Sequence, residues 1–373
     1  MTKFNLPDFS HSILNISSTL AEFLGAENSH PTLPSLKSYL SKPHKNIVFI
    51  CFDGLGINPL NQNVDARNFF RRHIVETLVS TFPSTTTAAT TSLATNRFPL
   101  EHGYFGWSLY YEKLNRNIDI FLNQDSQTGE PIEIGDSSPL TNFDYYFDTI
   151  DECEYQINTI FPPYVRITHP ERNSTFNTMD EFFNYIREKC QKDGKQFVYS
   201  YYPDPDYTMH GEGVTSAKTK EVIEKLSNHI EQISTEIDDT LFIITADHGQ
   251  IDVEGYVPLY KDQKLYDMLV IYPYMEARAV AFKVKPEYLE EFPVYFTQKY
   301  GEDFELHESK ELLEKGYFGD CGDKAFLLGD FIAIGTYTHK IARFSERQHL
   351  FKGHHTSLTE EMLAPLIIVD THK

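Results

Sequence analysis

A strand–helix–strand pattern in the middle of the chain constrains it most. Phe197 to Tyr202 and Leu241 to Thr245 are continuous apolar runs. Runs without alternation read as strands buried on both faces, as in parallel sheets. Between them, Val222, Ile223, Leu226, Ile230, Ile233 and Ile237 keep helical spacing over Ala217 to Ile237. That spacing predicts an amphipathic helix, and a helix joining two such strands is a βαβ unit. Asn46 to Phe52 (NIVFICF) is a third run of the same kind, and Leu366 to Asp370 predicts a last strand. The expected fold class is α/β, a mostly parallel sheet sandwiched by helices.

The chain has 373 residues, more than the roughly 250–300 at which a single core stops growing. The excess is expected near the C-terminal end. From about Arg278 to Lys340, strand-like runs (Val280 to Val284, Phe331 to Gly335) flank a charged helical stretch, Lys285 to Lys299. This predicts a core of residues 1–276 and 346–373, with 277–345 as a small α+β insertion able to cap it. Near the start, residues 12–24 read as a helix with Ser12 as cap and Gly25 as stop. Residues 26–45 read as a connecting loop.

Lys plus Arg is 33 and Asp plus Glu is 54, a net charge of −21. A protein that wraps a polyanion needs a basic stripe, so long nucleic acid is not an expected partner. A small phosphorylated substrate stays open, because bound cations can invert a local field. The four cysteines, Cys51, Cys153, Cys190 and Cys321, form no CxxC pair, which suits free thiols in a reducing compartment. The N-terminus does not read as a signal peptide, and no apolar run reaches the ~18 residues of a membrane span. The expectation is a cytoplasmic protein without a membrane partner, its oligomeric state open.

Five short segments carry residues suited to chemistry. Asp53 follows the first strand in FDGLG. Thr81 to Gly103 holds a Ser/Thr run after Pro83, where Ser84 or Thr85 would cap a helix starting near Thr86. A hydroxyl there lies beside free N–H groups at the positive end of the helix dipole. In YPDPDYTMHGEG, Asp204 and Pro205 open a helix that places Asp206 and His210 four residues apart on one face. TADHGQ ends a strand on Asp247 and His248, and KGHHTS brings His354 and His355 late in the chain. Each has an ordinary explanation alone, as turn, cap or solvated pair. Together they supply three Asp, three or more His and one hydroxyl. Such a mixed N/O donor set suits Zn, with Mn or Fe as alternatives, and disfavours Ca or Mg.

This order of motifs resembles the alkaline phosphatase superfamily and, within it, the type I phosphodiesterase/nucleotide pyrophosphatase family. In that family the nucleophile lies nine residues before the Thr of a Thr-Gly pair. Here the pair is Thr95-Asn96, so the count gives Thr86, with Asn96 in place of Gly. An anchor on Thr-Phe-Pro would give Thr81 instead. The resemblance implies two divalent metal ions, one on Asp53, Thr86, Asp247 and His248. The other falls on Asp206, His210 and a late histidine. The family's Gly-x-His-Gly falls on Gly353-His354-His355-Thr356, which favours His355 over His354 and puts Thr356 where the family has Gly. Two dications then balance three carboxylates and a threonine alkoxide. The implied reaction is hydrolysis of a phosphodiester or nucleotide pyrophosphate through a phospho-threonine intermediate. A phosphomonoesterase, phosphonate hydrolase or phosphomutase is the alternative, and a non-catalytic binding protein on this fold ranks below it. A diester wants a stacking pocket, and Tyr104, Phe105, Trp107, Tyr110 and Tyr111 follow the Thr86 helix. Of these, Tyr104 and Trp107 are the leading substrate contacts. Asn115 and Asn117 are poor matches to the family's substrate-binding Asn.

Overall fold

A computed structural model describes residues 4–132, 143–150, 153–165 and 168–372. The three continuous apolar runs lie side by side at the centre of a sheet. Asn46–Phe52 pairs in parallel with Lys195–Tyr202 on one side and with Thr240–Thr245 on the other. All seven residues of Asn46–Phe52 and all six of Thr240–Thr245 are buried, as lack of alternation requires. Among the described residues the sheet has seven strands, in the order Ile74–Val79, Leu363–Asp370, Thr240–Thr245, Asn46–Phe52, Lys195–Tyr202, Tyr155–Phe161, Asn173–Thr175. The last strand, Leu363–Asp370, runs antiparallel to both its neighbours. The crossover helix spans Ala217–Glu236 and buries Ile223, Leu226, Ile230 and Ile233. Ile13–Leu24 ends on Gly25 in the left-handed conformation. The fold is therefore α/β, a mostly parallel sheet flanked by helices.

Two local expectations differ from the structure. Residues 26–45 are not all loop, because Pro34–Leu40 is a helix. Pro34 takes a position where no N–H is needed, and Leu36 and Leu40, four apart, are buried. The stretch Lys285 to Lys299 is not one helix. A 3-10 turn, Pro286–Tyr288, precedes the helix Glu291–Tyr300. Pro293 must fall within a first turn, since it cannot donate farther in.

A second sheet follows the order Phe304–Glu308, Phe331–Gly335, Ala279–Phe282, Tyr274–Met275, Ser108–Tyr111, Arg116–Asp119, Gln124–Asp125. It is not confined to residues 277–345, because Met275 pairs with Ser108 and joins it to the chain just after the Thr86 helix. A separate apolar cluster, including Leu259, Phe282, Phe292, Phe296 and Phe304, packs beneath it. Among the described residues no helix is long and apolar enough to cross a membrane.

Candidate active site

Parallel strands deliver their following loops to one edge of a sheet, where α/β proteins bind ligands. Here three adjacent strands, Asn46–Phe52, Lys195–Tyr202 and Thr240–Thr245, end just before Asp53, Asp206 and Asp247. Gly54 makes the approach possible. It has φ 71°, and a Cβ there would lie 2.9 Å from Asp206 Cβ. The helix Thr86–Thr95 points its first residue into the same space. Thr86 Oγ1 is 3.2 Å from His248 Nε2 and 3.4 Å from each oxygen of Asp53. His248 Nε2 lies 3.5 Å from Asp53 Oδ1 and 3.3 Å from Asp247 Oδ2.

A second group adjoins the first. His210 Nε2 is 3.2 Å from Asp206 Oδ2, as the spacing of four predicts. His355 Nε2 is 3.8 Å from Asp206 Oδ1, and its ring stacks on His248 with centroids 3.9 Å apart. Asp206, His210 and His355 could together hold a metal ion, and so could Asp53, Asp206 and His248. All seven sequence-predicted ligands thus converge. Thr81 does not; it is buried, with its hydroxyl at Pro83 O. His354 lines the cavity, but His355 turns its Nε2 to Asp206.

The orientation of the histidines fits cation binding. Nδ1 of His210 lies 2.9 Å from Gly353 O, that of His248 3.0 Å from Gly249 O, and that of His355 3.1 Å from Ser84 O. Each Nδ1 is placed to donate to a carbonyl, leaving Nε2 as a lone pair aimed at the carboxylates, the arrangement metal-ligating histidines adopt. Asp247 Oδ1 accepts from the N–H groups of Gly54 and His248, both at 3.0 Å, whereas its buried Oδ2 has no hydrogen-bond partner. Burial and the neighbouring Asp247 and Asp206 push Asp53 well above the usual carboxylate range. Burial also raises Asp247. Burial opposes ionisation of Asp206, yet His210 holds it down to about 2. Burial and the adjacent His248, His354 and His210 push His355 well below the usual histidine range. Three buried carboxylates faced by histidine Nε2 atoms are a donor set that a divalent cation stabilises. The residues fit that group.

Several site residues were not signalled by the sequence. Tyr201 donates its hydroxyl to Asp53 Oδ2, and Gln250 donates to Asp206 Oδ1. Gln250 stands within TADHGQ, but a neutral amide there gives no reason to single it out. Glu276 accepts from the Thr85 hydroxyl at 2.6 Å and from the Trp107 N–H at 2.8 Å. This corrects one expectation. Thr85 is the N-cap residue, but its hydroxyl makes no capping bond, because the carboxylate is the stronger acceptor. Ser84 does not cap either; it donates to Ser357 O.

The site opens into a cavity of about 1430 Å³. Tyr104 and Trp107 line it, while Phe105, Tyr110 and Tyr111 do not. Tyr104 is buried against Phe143 and Phe121, and Trp107 is 40% exposed. Asn115 and Asn117 lie outside the lining. Residues 344–351, all but the first two beyond the expected insertion, contribute Phe344, Arg347, His349 and Phe351. Arg347 is the one Lys or Arg among the described lining residues, and it is exposed.

The family described as Type I phosphodiesterase / nucleotide pyrophosphatase matches residues 47–309. Among solved structures, an inactive variant of murine ectonucleotide pyrophosphatase/phosphodiesterase 5 in complex with AMP is similar, with a TM-score of 0.68. It is 14% identical, with 88% of each chain covered. The human counterpart has a TM-score of 0.65 at 16% identity, with 87% of each chain covered. Phosphonoacetate hydrolase from Sinorhizobium meliloti 1021, in complex with phosphonoformate, has a TM-score of 0.61 at 14% identity. There 87% of this chain and 90% of that chain are covered. No curated protein matches the chain.

Proposed function

The chain belongs to the type I phosphodiesterase/nucleotide pyrophosphatase family and is a phosphoesterase-type hydrolase, and we propose that it cleaves a small phosphodiester, such as a nucleotide ester, with Thr86 as nucleophile. The observation that carries this reading is the half-buried Thr86 hydroxyl facing the cavity within 3.4 Å of both Asp53 and His248. Asp53, Thr86, Asp247 and His248 would hold one divalent cation and Asp206, His210 and His355 another, with Zn first and Mn or Fe as alternatives. When bound, these ions supply Lewis-acid stabilisation of phosphoryl and leaving-group charge. Thr86 Oγ forms the new bond to phosphorus as the leaving oxygen departs, and water then hydrolyses the phospho-threonine. His248 Nε2 and the Asp53 carboxylate are the groups nearest that hydroxyl, and a cation they held would lower its pKa so that its proton leaves to water. Tyr201 and Gln250 hold Asp53 and Asp206 in orientation.

The cavity supports a diester over a monoester. A monoester dianion wants added positive charge, and Arg347 at the rim is the one described candidate. The apolar group of a diester meets Trp107, Tyr104 and Phe121. A phosphomonoester or phosphonate is the second reading, favoured by that same Arg347. The four cysteines are free thiols, which supports a reducing, cytoplasmic setting as part of the proposal.

The test is a panel of bis-p-nitrophenyl phosphate, a nucleotide p-nitrophenyl ester and p-nitrophenyl phosphate, on protein loaded with Zn or Mn. The diesters are expected to turn over faster than the monoester. Thr86→Ala is expected to lower kcat by at least about 1000-fold, the scale on which removal of a nucleophile acts, and Thr81→Ala by far less. Full activity in Thr86→Ala would remove the proposed nucleophile.

A further inference from the structure

Glu276 is buried in the cavity wall, and the chemistry above does not use it. The backbone around it is built to deliver it there. Met275 has φ 81°, in the left-handed region that a side chain makes costly. Opposite, Gly106 has no room for a Cβ, which would lie 2.8 Å from Met275 Cγ and 2.9 Å from its carbonyl oxygen. This close approach lets one carboxylate oxygen bind both the Trp107 N–H and the Thr85 hydroxyl.

The bond to Thr85 has a consequence for the helix Thr86–Thr95. An N-cap threonine ordinarily turns its oxygen onto a first-turn N–H. Here that hydroxyl donates to Glu276. Among the described residues, the N–H groups of Thr86, Thr87 and Ala88 have no protein acceptor. The first of them belongs to Thr86, whose hydroxyl lies within 3.4 Å of Asp53 and His248 in the cavity wall.

We propose that Glu276 is a positioning residue that holds the Thr85 hydroxyl away from its own helix and so keeps the first-turn N–H groups open to the phosphoryl oxygens of the substrate. Removing Glu276 frees Thr85 to cap the helix, where it competes with the phosphoryl group. The identity of the ligand rests on the phosphodiester reading.

The test is a double-variant cycle on the full, metal-loaded chain. It reads kcat and KM on bis-p-nitrophenyl phosphate, and separately the affinity for inorganic phosphate by calorimetry. Glu276→Ala is expected to lower kcat about 10- to 100-fold, the scale of one lost oxyanion interaction, and to weaken phosphate by at least about tenfold. KM for the diester should move less, about threefold. Glu276→Gln, which still offers a carbonyl oxygen, should stay within about threefold of the unsubstituted protein. In a Thr85→Ala background, Glu276→Ala should cost less than about threefold, because no hydroxyl remains to compete. The same loss in both backgrounds, or no loss in either, overturns the proposal. Glu276→Leu, which fills the volume and accepts nothing, replaces Glu276→Ala if that variant lacks a cooperative melt. If the unsubstituted protein cleaves no diester, the function proposed above fails, while the phosphate affinities still decide the role of Glu276.

Discussion

Thr356 sits at φ 96°, a conformation that suits glycine and strains a β-branched side chain. This is the position where the family motif ends in Gly. The Thr is held there because its hydroxyl accepts the Arg278 N–H at 3.2 Å. Asn96, at φ 55°, likewise takes the left-handed C-cap position where glycine is usual. Both departures therefore preserve the backbone shape while changing the side chain. Asn96 also uses its amide, accepting from Ser18 at 2.8 Å and donating to Asn28 at 3.0 Å. At the same scale, His102 is buried between Ser92 and the Tyr104 N–H, and burial pushes it down to about 3. An unfolded histidine titrates near ~6.5. Between those values the unfolded chain binds the extra proton, so His102 lowers stability as pH falls from about 6.5 towards about 3. The slope it adds is at most about 1.4 kcal/mol per pH unit. His354, pushed down to about 3 chiefly by burial, adds to it with the same sign. Urea melts at pH 7 and pH 5 should show this loss, and it should shrink in His102→Gln. An unchanged slope in that variant would show that His102 charges without penalty.

At the scale of elements, two loops must keep a fixed relation for the two ligand groups to adjoin. Glu361 ties them. Its carbonyl accepts the Gly249 N–H at 2.7 Å, next to His248, and its carboxylate accepts the Ser357 N–H at 3.2 Å, next to the His355 loop. That carboxylate is paired with Arg278 at 3.0 Å, and neither residue is exposed. Arg278 also donates to the carbonyls of Lys340 and Thr336, so the second sheet braces the site. Arg278→Met should cost about 3–5 kcal/mol, because it strands a buried carboxylate. It should also weaken metal binding, since both histidine loops lose their anchor. Arg278→Met with Glu361→Leu should recover much of the stability but not the metal affinity. A single-variant loss under about 1 kcal/mol in denaturant melts would show the pair to be dispensable. Neither residue is visible as a pair in the sequence. They stand 83 positions apart, and only the packing of sheet against loop brings them together.

For the whole molecule, the three site carboxylates are a cost that folding alone leaves unmet. Burial and mutual repulsion raise Asp53 and Asp247, so the metal-free protein should be less stable than the loaded one. At a free metal concentration about 100 times Kd, linkage predicts a gain of about 2.7 kcal/mol, a rise in Tm on the order of 5 °C. Thermal melts with Zn, Mn and a chelator check this, and Asp247→Ala should shrink the gain. A Tm indifferent to metal in the unsubstituted chain would remove the cation sites from the proposal. The net charge of −21 bears on none of this locally. It is a surface property that disfavours long polyanions, whereas the site is set by a few buried groups.

The sequence by itself determined the sheet and its useful edge. Continuous apolar runs can be satisfied only by burial on both faces, and an Asp just past each run must emerge at the strand ends. It also placed Asp206 and His210 together, because helical spacing is local. Tertiary structure decided what depends on distance between remote segments. It brought the hydroxyl of Thr86 rather than Thr81 to Asp53 and His248, and turned the nitrogen of His355 rather than His354 to Asp206. It brought Tyr201, Gln250 and Glu276 onto the groups they orient. The spread of the second sheet into residues 108–125 was hidden for the same reason. Period and propensity report what a residue's neighbours in sequence impose, whereas cross-strand pairing and buried charge are fixed by segments that meet only when the chain is folded.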